Sequence, residues 1–313
     1  MKHVFIINSQ CSKRQQQKLK EDIQSTFATE DYQIEYTTYK GHAKVLASMH
    51  AQKMIPMRIY ACGGDGTVHE VVNGILPYAH VQLGILPIGT GNDFVKAFPA
   101  LTRHTFLTLQ NYQQAHCIPV DVIMVDDQAS INTVSAGLDV HVTYHVDKFK
   151  HLPFAYGSLP YYLGLLVSMA GKIWNNYALK IDGNRELTDD FLFVVVGNGR
   201  CYGGGYCPTP DAKVDDGWLD YSLIRKVSRR KILLLSKKYK KGTHTAYSAW
   251  VQSGRLKSLQ ILTNGLLIRL NLDGELYETS DPIIHIEEKK ILLALPVEKK
   301  AYAHETNRSA VCK

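Results

Sequence analysis

The chain has 313 residues, 45% hydrophobic and 21% charged, with a formal net charge of +7 at pH 7. That composition excludes a disordered or fibrous protein and fits about two globular domains, each able to bury its own core. The basic excess suits nucleic acid, an anionic membrane or a polyphosphate ligand, and equally a moderately basic protein with no charged partner.

In chain order, Val4–Asn8 is predicted as a buried strand, its apolar run too short for a signal peptide. A helix over Lys13–Thr26, a strand over Gln33–Thr38, a helix over His42–Gln52 and a strand over Arg58–Cys62 follow. Thr67–Leu76 is a helix, with Val68, Val71, Val72 and Ile75 at helical spacing, and Gln82–Pro87 is a fourth strand. This alternation predicts a Rossmann-like α/β domain over residues 1–124, a parallel sheet with helices on both faces. In such sheets ligands sit beyond the carboxyl ends of the strands.

From about Val120 strands dominate, at Val120–Val125, Ala129–Val134, Ala178–Ile181, Phe191–Gly197, Leu219–Ile224, Ser258–Leu262, Leu267–Leu272, Ile283–Ile286 and Ile291–Leu295. Helices are expected at Val140–Phe149, Leu159–Asn175 and Arg229–Tyr239. This half reads as a mainly antiparallel β-sandwich over residues 125–296, with residues 297–313 packing back on the first domain. The longest apolar stretch, Leu159–Ile173, is interrupted by Pro160, Gly164, Ser168, Gly171 and Lys172 and is too short to span a bilayer. Cys11, Cys62, Cys117, Cys201, Cys207 and Cys312 form no CxxC pair, which reads as reduced thiols in the cytosol.

Two turns carry chemistry. Ile59–Cys62 runs into Gly63-Gly64-Asp65-Gly66-Thr67 and then a helix. Glycines let a backbone approach a bulky anion, and amides at a helix start hold phosphate oxygens. Asp65 would repel phosphate unless Mg²⁺ stood between them, so the turn suits a nucleotide–Mg²⁺ complex. A tight strand–helix connection is the plainer alternative. No Gly-Lys-Ser/Thr follows, so this is not a Walker A loop. The second turn, Ile88-Gly89-Thr90-Gly91-Asn92-Asp93-Phe94, again links strand to helix and offers a hydroxyl at Thr90 and an amide at Asn92. Asp93 reads as a helix cap.

These motifs resemble the diacylglycerol kinase catalytic-domain family, soluble bacterial lipid kinases similar to sphingosine kinases. Gly63 to Gly74 matches the family's GGDGTxxEVxNG run and Pro87 to Phe94 its PxGTxNDF run. Gly197-Asn198-Gly199 with Gly203–Gly205, Asp215-Asp216-Gly217-Trp218-Leu219-Asp220 and Asp273-Gly274-Glu275 match later elements in order. One loop departs: Asn8-Ser9-Gln10-Cys11-Ser12 keeps the family's Asn but lacks its Pro and Gly.

The resemblance implies ATP in the cleft between the domains, contacted by Asn8, Thr37, Gly63, Gly64, Asp65, Gly66, Thr67, Glu70, Asn73, Gly89, Thr90 and Asn92. It implies Glu275 as the general base, with Asp65 and Asp273 as competing candidates. Asp65 would engage catalytic Mg²⁺, and a structural Mg²⁺ would take Asp216 with the carbonyls of Lys213 and Trp218. On the residues alone, Asp-Gly at Asp216 and at Asp273 is a turn, with Glu275 exposed.

Arg225 to Lys241 carries nine basic residues around Ile232-Leu233-Leu234-Leu235. Such a segment suits an anionic membrane surface, and equally a solvated helix face. Phe154–Trp174, with Tyr156, Tyr161 and Tyr162, suits either an acyl-chain cleft or core packing. The expected function is transfer of the ATP γ-phosphate to a lipid alcohol such as diacylglycerol, in the cytoplasm against the inner membrane face. A homodimer is an open option and nucleic acid is not expected. An NAD kinase, or a non-catalytic lipid- or nucleotide-binding homologue, is the alternative.

Overall fold

The computed structural model describes residues 1–149 and 159–298. The first elements are β1 (Lys2–Ile7), α1 (Lys13–Thr26), β2 (Tyr32–Tyr36), α2 (His42–Ala51), β3 (Met57–Gly63), α3 (Asp65–Ile75) and β4 (Val81–Pro87). Ser12 caps α1 through a capping box with Gln15, which organises the loop that departs from the family pattern. The strands pair in parallel in the order β4-β3-β1-β2. β3 is buried along its whole length, as a parallel strand covered on both faces should be. Val68, Val71, Val72 and Ile75 of α3 pack on one face of this sheet, with Ala43, Leu46 and Ala47 of α2. Phe5, Ile23, Phe27, Tyr60 and Tyr112 fill the other face, including a stacked Phe5–Tyr60 pair.

After β4 and the second turn, the expected helix is a single 3-10 turn over Phe94–Ala97, followed by α4 (Arg103–Leu107). The second half comprises β5 (His116–Val125), β6 (Gln128–Ser130), β7 (Thr133–Gly137), α5 (Leu138–Phe149), α6 (Leu159–Ala170), β8 (Asn175–Ile181), β9 (Arg185–Gly197), β10 (Leu219–Arg225), α7 (Arg229–Lys240), β11 (Val251–Leu256), β12 (Ser258–Leu262), β13 (Leu267–Leu272), β14 (Glu275–Ser280) and β15 (Ile283–Leu295). Its pairings are antiparallel, apart from the parallel contact between β15 and β4. The protein is thus α/β in its first half and antiparallel β in its second.

β15 joins the halves. Its first part pairs with β12 and its end with β4, while β5 runs antiparallel along most of it. The two strands expected at 283–286 and 291–295 are this one strand, with a register shift between Glu287 and Ile291. Val297 donates its N–H to the Asn111 carbonyl at 2.9 Å, and the Thr105 hydroxyl donates to Glu298. The rest of the expected C-terminal packing, residues 299–313, lies outside the described residues.

One expectation is corrected. Cys201 and Cys207 form a disulfide rather than remaining reduced. Between them Gly203, Gly204 and Gly205 take φ values of +55°, +78° and +104°. Only glycine does this readily in succession, and it folds the loop back until the cysteine Cα atoms are 3.9 Å apart. A spacing rule looking for CxxC misses such a pair. Cys11, Cys62 and Cys117 are free thiols, and Cys312 lies outside the described residues. Among the described residues no helix is long and apolar enough to cross a membrane. Of the segment considered for an acyl cleft, residues 154–158, Tyr156 among them, lie outside the described residues, whereas Met169 and Ile173 pack in a core cluster.

Candidate functional site

The two glycine turns leave the carboxyl ends of the adjacent strands β3 and β4 and pack backbone to backbone. A Cβ on Gly89 would lie 2.3 Å from the Gly64 Cα, and one on Gly63 would lie 2.2 Å from the Thr67 hydroxyl. The glycines are therefore demanded by close approach. Thr67 Oγ1 also accepts from the Asn8 amide at 3.0 Å, tying the β1 loop to the turn. Thr37 Oγ1 accepts the Ser9 N–H at 3.2 Å and supports the same loop. Asn92 (φ +50°) closes the second turn by donating to the Gly89 carbonyl at 2.6 Å, while Thr90 stays exposed. A cavity of about 10 Å³ lies between the turns, lined by Gly64, Asp65, Asn92 and Phe94 among others.

Asp65 opens α3 from inside this junction. Burial pushes its carboxyl up to about 7, and the neighbouring Asp93 carboxylate adds like-charge repulsion. Its Oδ1 accepts the Asp93 N–H at 2.6 Å, and a Cβ on Gly91 would sit 2.6 Å from its Oδ2. An all-oxygen pair of buried acids, one of them under-neutralised, is chemistry that fits a hard divalent cation. Sequence reasoning placed Asp93 at a helix start. Its side chain instead pairs with Lys96 and accepts the Gly204 N–H at 2.7 Å, so the disulfide-clipped loop of the second half docks on the second turn. Asp93 stands within the PxGTxNDF match, which was the available signal; Lys96 carried none.

The β13–β14 hairpin brings the other half of the site. Asp273 (φ +54°) and Gly274 (φ +101°) form its two-residue loop, a conformation that Asp-Gly adopts readily. Glu275, the first residue of β14, comes over the first turn, with Oε1 3.1 Å from where a Cβ on Gly66 would stand. Its Oε2 pairs with Lys40 Nζ at 2.6 Å. Asp273 points the other way and is buried. It accepts from the Ser130 hydroxyl at 2.6 Å, from the N–H groups of Ile131, Asn132 and Thr133 at 2.9–3.0 Å, and faces His69 Nδ1 at 3.2 Å. Burial opposes its charge, but the His69 contact and these bonds outweigh that and hold the carboxyl below its ordinary range. A carboxylate so filled is a clasp between strands rather than a proton acceptor.

Two residues expected at the nucleotide, Glu70 and Asn73, have protein partners. Glu70 Oε1 and Oε2 accept the Gly41 and Ala43 N–H groups at 2.7 and 3.0 Å, so Glu70 caps α2. Asn73 exchanges 2.8 Å hydrogen bonds with the N–H and carbonyl of Ala129, acting as a strap between α3 and β6. Both side chains leave α3 toward protein, not toward the glycine turns.

The expected structural metal set lies at a turn crowded with charged side chains. Asp216 Oδ1 accepts the Trp218 N–H at 3.1 Å, and Oδ2 faces Arg255 at 3.4 Å. Lys257 donates to the Gly217 carbonyl, lies 4.6 Å from the Trp218 ring centre and pairs with Glu288 at 2.8 Å. Asp121 accepts the Gly217 N–H at 2.8 Å. Arg255 and Lys257 thus sit among four carboxylates, Asp121, Asp216, Asp220 and Glu288. Asp220 keeps a buried Oδ2 without a hydrogen-bond partner among the described residues, and burial pushes its carboxyl up to about 6, with Asp216 and Asp211 adding like-charge repulsion.

Away from the cleft, Phe193, Tyr206, Ile224, Ile232, Leu235 and Tyr239 line part of an apolar cavity of about 50 Å³ beneath α7. Arg229 anchors the start of α7 to the Met169 and Gly171 carbonyls at 2.8 and 2.7 Å, and Lys231 lies over Trp250.

The chain matches the family described as diacylglycerol kinase catalytic domain over residues 2–125 and that described as YegS C-terminal NAD kinase beta sandwich-like domain over residues 132–289. It is 30% identical over 228 residues to a Xanthomonas oryzae pv. oryzae protein named probable lipid kinase YegS-like, covering 69% of this chain and 72% of that one. It is 29% identical over 222 residues to the diacylglycerol kinase of Mycobacterium tuberculosis, covering 69% of this chain and 70% of that one. A crystal structure of a Bacillus anthracis diacylglycerol kinase superposes with a TM-score of 0.68 at 20% identity, covering 94% of this chain and 96% of that one. At that identity the likeness speaks to the fold alone.

Proposed function

The chain belongs to the family that joins a diacylglycerol kinase catalytic domain to a YegS-type C-terminal domain, and from that premise we propose that it transfers the γ-phosphate of ATP to the hydroxyl of a lipid alcohol such as diacylglycerol. The observation that carries this reading is the placement of Glu275 against Gly66, an acid from one half over the phosphate turn of the other.

In this account the amino end of α3 and the glycine turns hold the triphosphate, since backbone approach and the helix dipole both favour an anion there. Glu275 takes the proton of the lipid hydroxyl. The freed oxygen forms a bond to the γ-phosphorus as the bond to the β–γ bridging oxygen breaks, and ADP leaves. Asp65, with Asp93 beside it, would hold Mg²⁺, which when bound neutralises charge on the phosphate oxygens. Asp273 is a positioning residue: it fixes the hairpin turn from which Glu275 projects.

The lipid substrate class is supported by the apolar cavity beneath α7, whose lining suits an alkyl chain. The exposed basic residues of α7 suit peripheral contact with an anionic membrane surface. Turnover of γ-labelled ATP against diacylglycerol, monoacylglycerol, phosphatidylglycerol, sphingosine, undecaprenol and NAD tests the reading. Label in a lipid is expected; label only in NADP would overturn it.

A further inference from the structure

Resting on the ATP-kinase reading above, we propose that Lys40 is a shared cation: it holds Glu275 before nucleotide binds, then moves to the terminal phosphate of ATP and leaves Glu275 free to accept a proton. Lys40 lies on the loop between β2 and α2, and its Nζ meets Glu275 Oε2 at 2.6 Å. The other oxygen of that carboxylate lies 3.1 Å from where a Cβ on Gly66 would stand, so one carboxylate separates the ammonium from the turn where the phosphates would lie.

The position of Lys40 is built rather than incidental. Glu70 takes the N–H groups of Gly41 and Ala43 on its two oxygens. Glu70 belongs to α3, the helix that begins at the phosphate turn, so the backbone beside Lys40 is fixed to the same element that receives the nucleotide. The lysine stem then gives its ammonium several rotatable bonds of reach from a fixed point.

The pair is also suited to exchange. The Lys40 side chain is 78% exposed and that of Glu275 30%. An exposed ion pair is weak and screened by salt, so trading it for a triphosphate loses little. Lys96 contrasts with it, being committed to the buried Asp93. Without a mobile cation, ATP would enter a cleft bearing Asp65, Asp93 and Glu275. Exchange places a positive charge on the incoming phosphate and removes that repulsion.

The test is calorimetric titration of Mg²⁺–ATP and of AMP into wild type, Lys40→Ala, Lys40→Arg, Glu275→Ala and the double variant Lys40→Ala/Glu275→Ala. Lys40→Ala should weaken ATP about tenfold, the scale of one lost charge-assisted contact, and leave AMP unchanged. Lys40→Arg should restore most of the loss. Glu275→Ala should tighten ATP about threefold by removing the competing partner of Lys40, and Lys40→Ala should cost about threefold more in the Glu275→Ala background than in wild type. Unchanged or weaker ATP binding by Glu275→Ala, or equal loss of ATP and AMP by Lys40→Ala, would overturn the proposal while leaving the kinase reading standing. Wild type that bound no ATP would overturn both.

Discussion

Asp93 accepts the Gly204 N–H at 2.7 Å, and this contact sets the disulfide-clipped loop of the second half on the phosphate end of the first. At the first turn Glu275 reaches over Gly66, and further along α3 Asn73 straps the helix to Ala129. Contacts from the far half of the chain thus meet both glycine turns and the helix that follows the first.

Asp65 is held in a state that suits phosphate chemistry and not stability. Its folded-state pKa of about 7 exceeds its ordinary value of 3.8, so the folded protein binds the proton more tightly and loses stability as pH rises between them. Below that window the acid is neutral in both states. Asp65→Asn should therefore match wild type in stability near pH 3 and exceed it at pH 8, by up to roughly 4 kcal/mol. Kinase turnover should collapse in the same variant. Thermal melts across that pH range check the first claim, and a fixed difference at every pH would contradict it.

Asp273 and Glu275 should separate stability from activity. Asp273→Asn puts an amide against the donors at Ser130, Ile131, Asn132 and Thr133, and should lower unfolding stability by about 3 kcal/mol. Glu275→Ala removes a partly exposed side chain and should change stability by no more than about 0.5 kcal/mol. Urea unfolding of the pair measures this, and similar losses in both would count against the division of roles.

The Cys201–Cys207 bridge closes a short loop. Thiol titration of the unfolded, unreduced chain should leave Cys201 and Cys207 unreactive. Cys201→Ser/Cys207→Ser should cost about 2 kcal/mol of stability on the chain-entropy estimate for a loop of this size.

Lys237, Lys238 and Lys241 are exposed at the end of α7. Replacing all three with Glu should weaken co-sedimentation with phosphatidylglycerol vesicles at least tenfold, since each basic residue at the surface contributes on the order of 1 kcal/mol. Turnover of a detergent-dispersed lipid should change little. Equal sedimentation of wild type and variant would remove α7 as the membrane face.

The glycine turns were legible because backbone approach admits no other residue, as the Gly89–Gly64 contact shows. The parallel strands were legible because β1 and β3 are almost wholly buried and read as continuous apolar runs. β14 was missed because it pairs on one side only and is nowhere fully buried, which leaves no alternation to read. β11 hides for a related reason, with Ser253, Gly254 and Arg255 exposed at its centre. Glu70 and Asn73 share a helix with the phosphate turn, yet helical spacing cannot say which neighbour meets each side chain. They meet α2 and β6. The Lys40–Glu275 pair was illegible because it joins the loop between β2 and α2 to a hairpin near the far end of the chain.

The central claim, a phosphate turn completed by a base from the other half, is tested most directly by single-turnover transfer from γ-labelled ATP to diacylglycerol in wild type and Glu275→Ala. The account predicts label in the lipid with wild type and a loss of at least about a hundredfold in the variant, the lower range for a missing general base, with ATP still bound. A variant that transferred phosphate at the wild-type rate would contradict it.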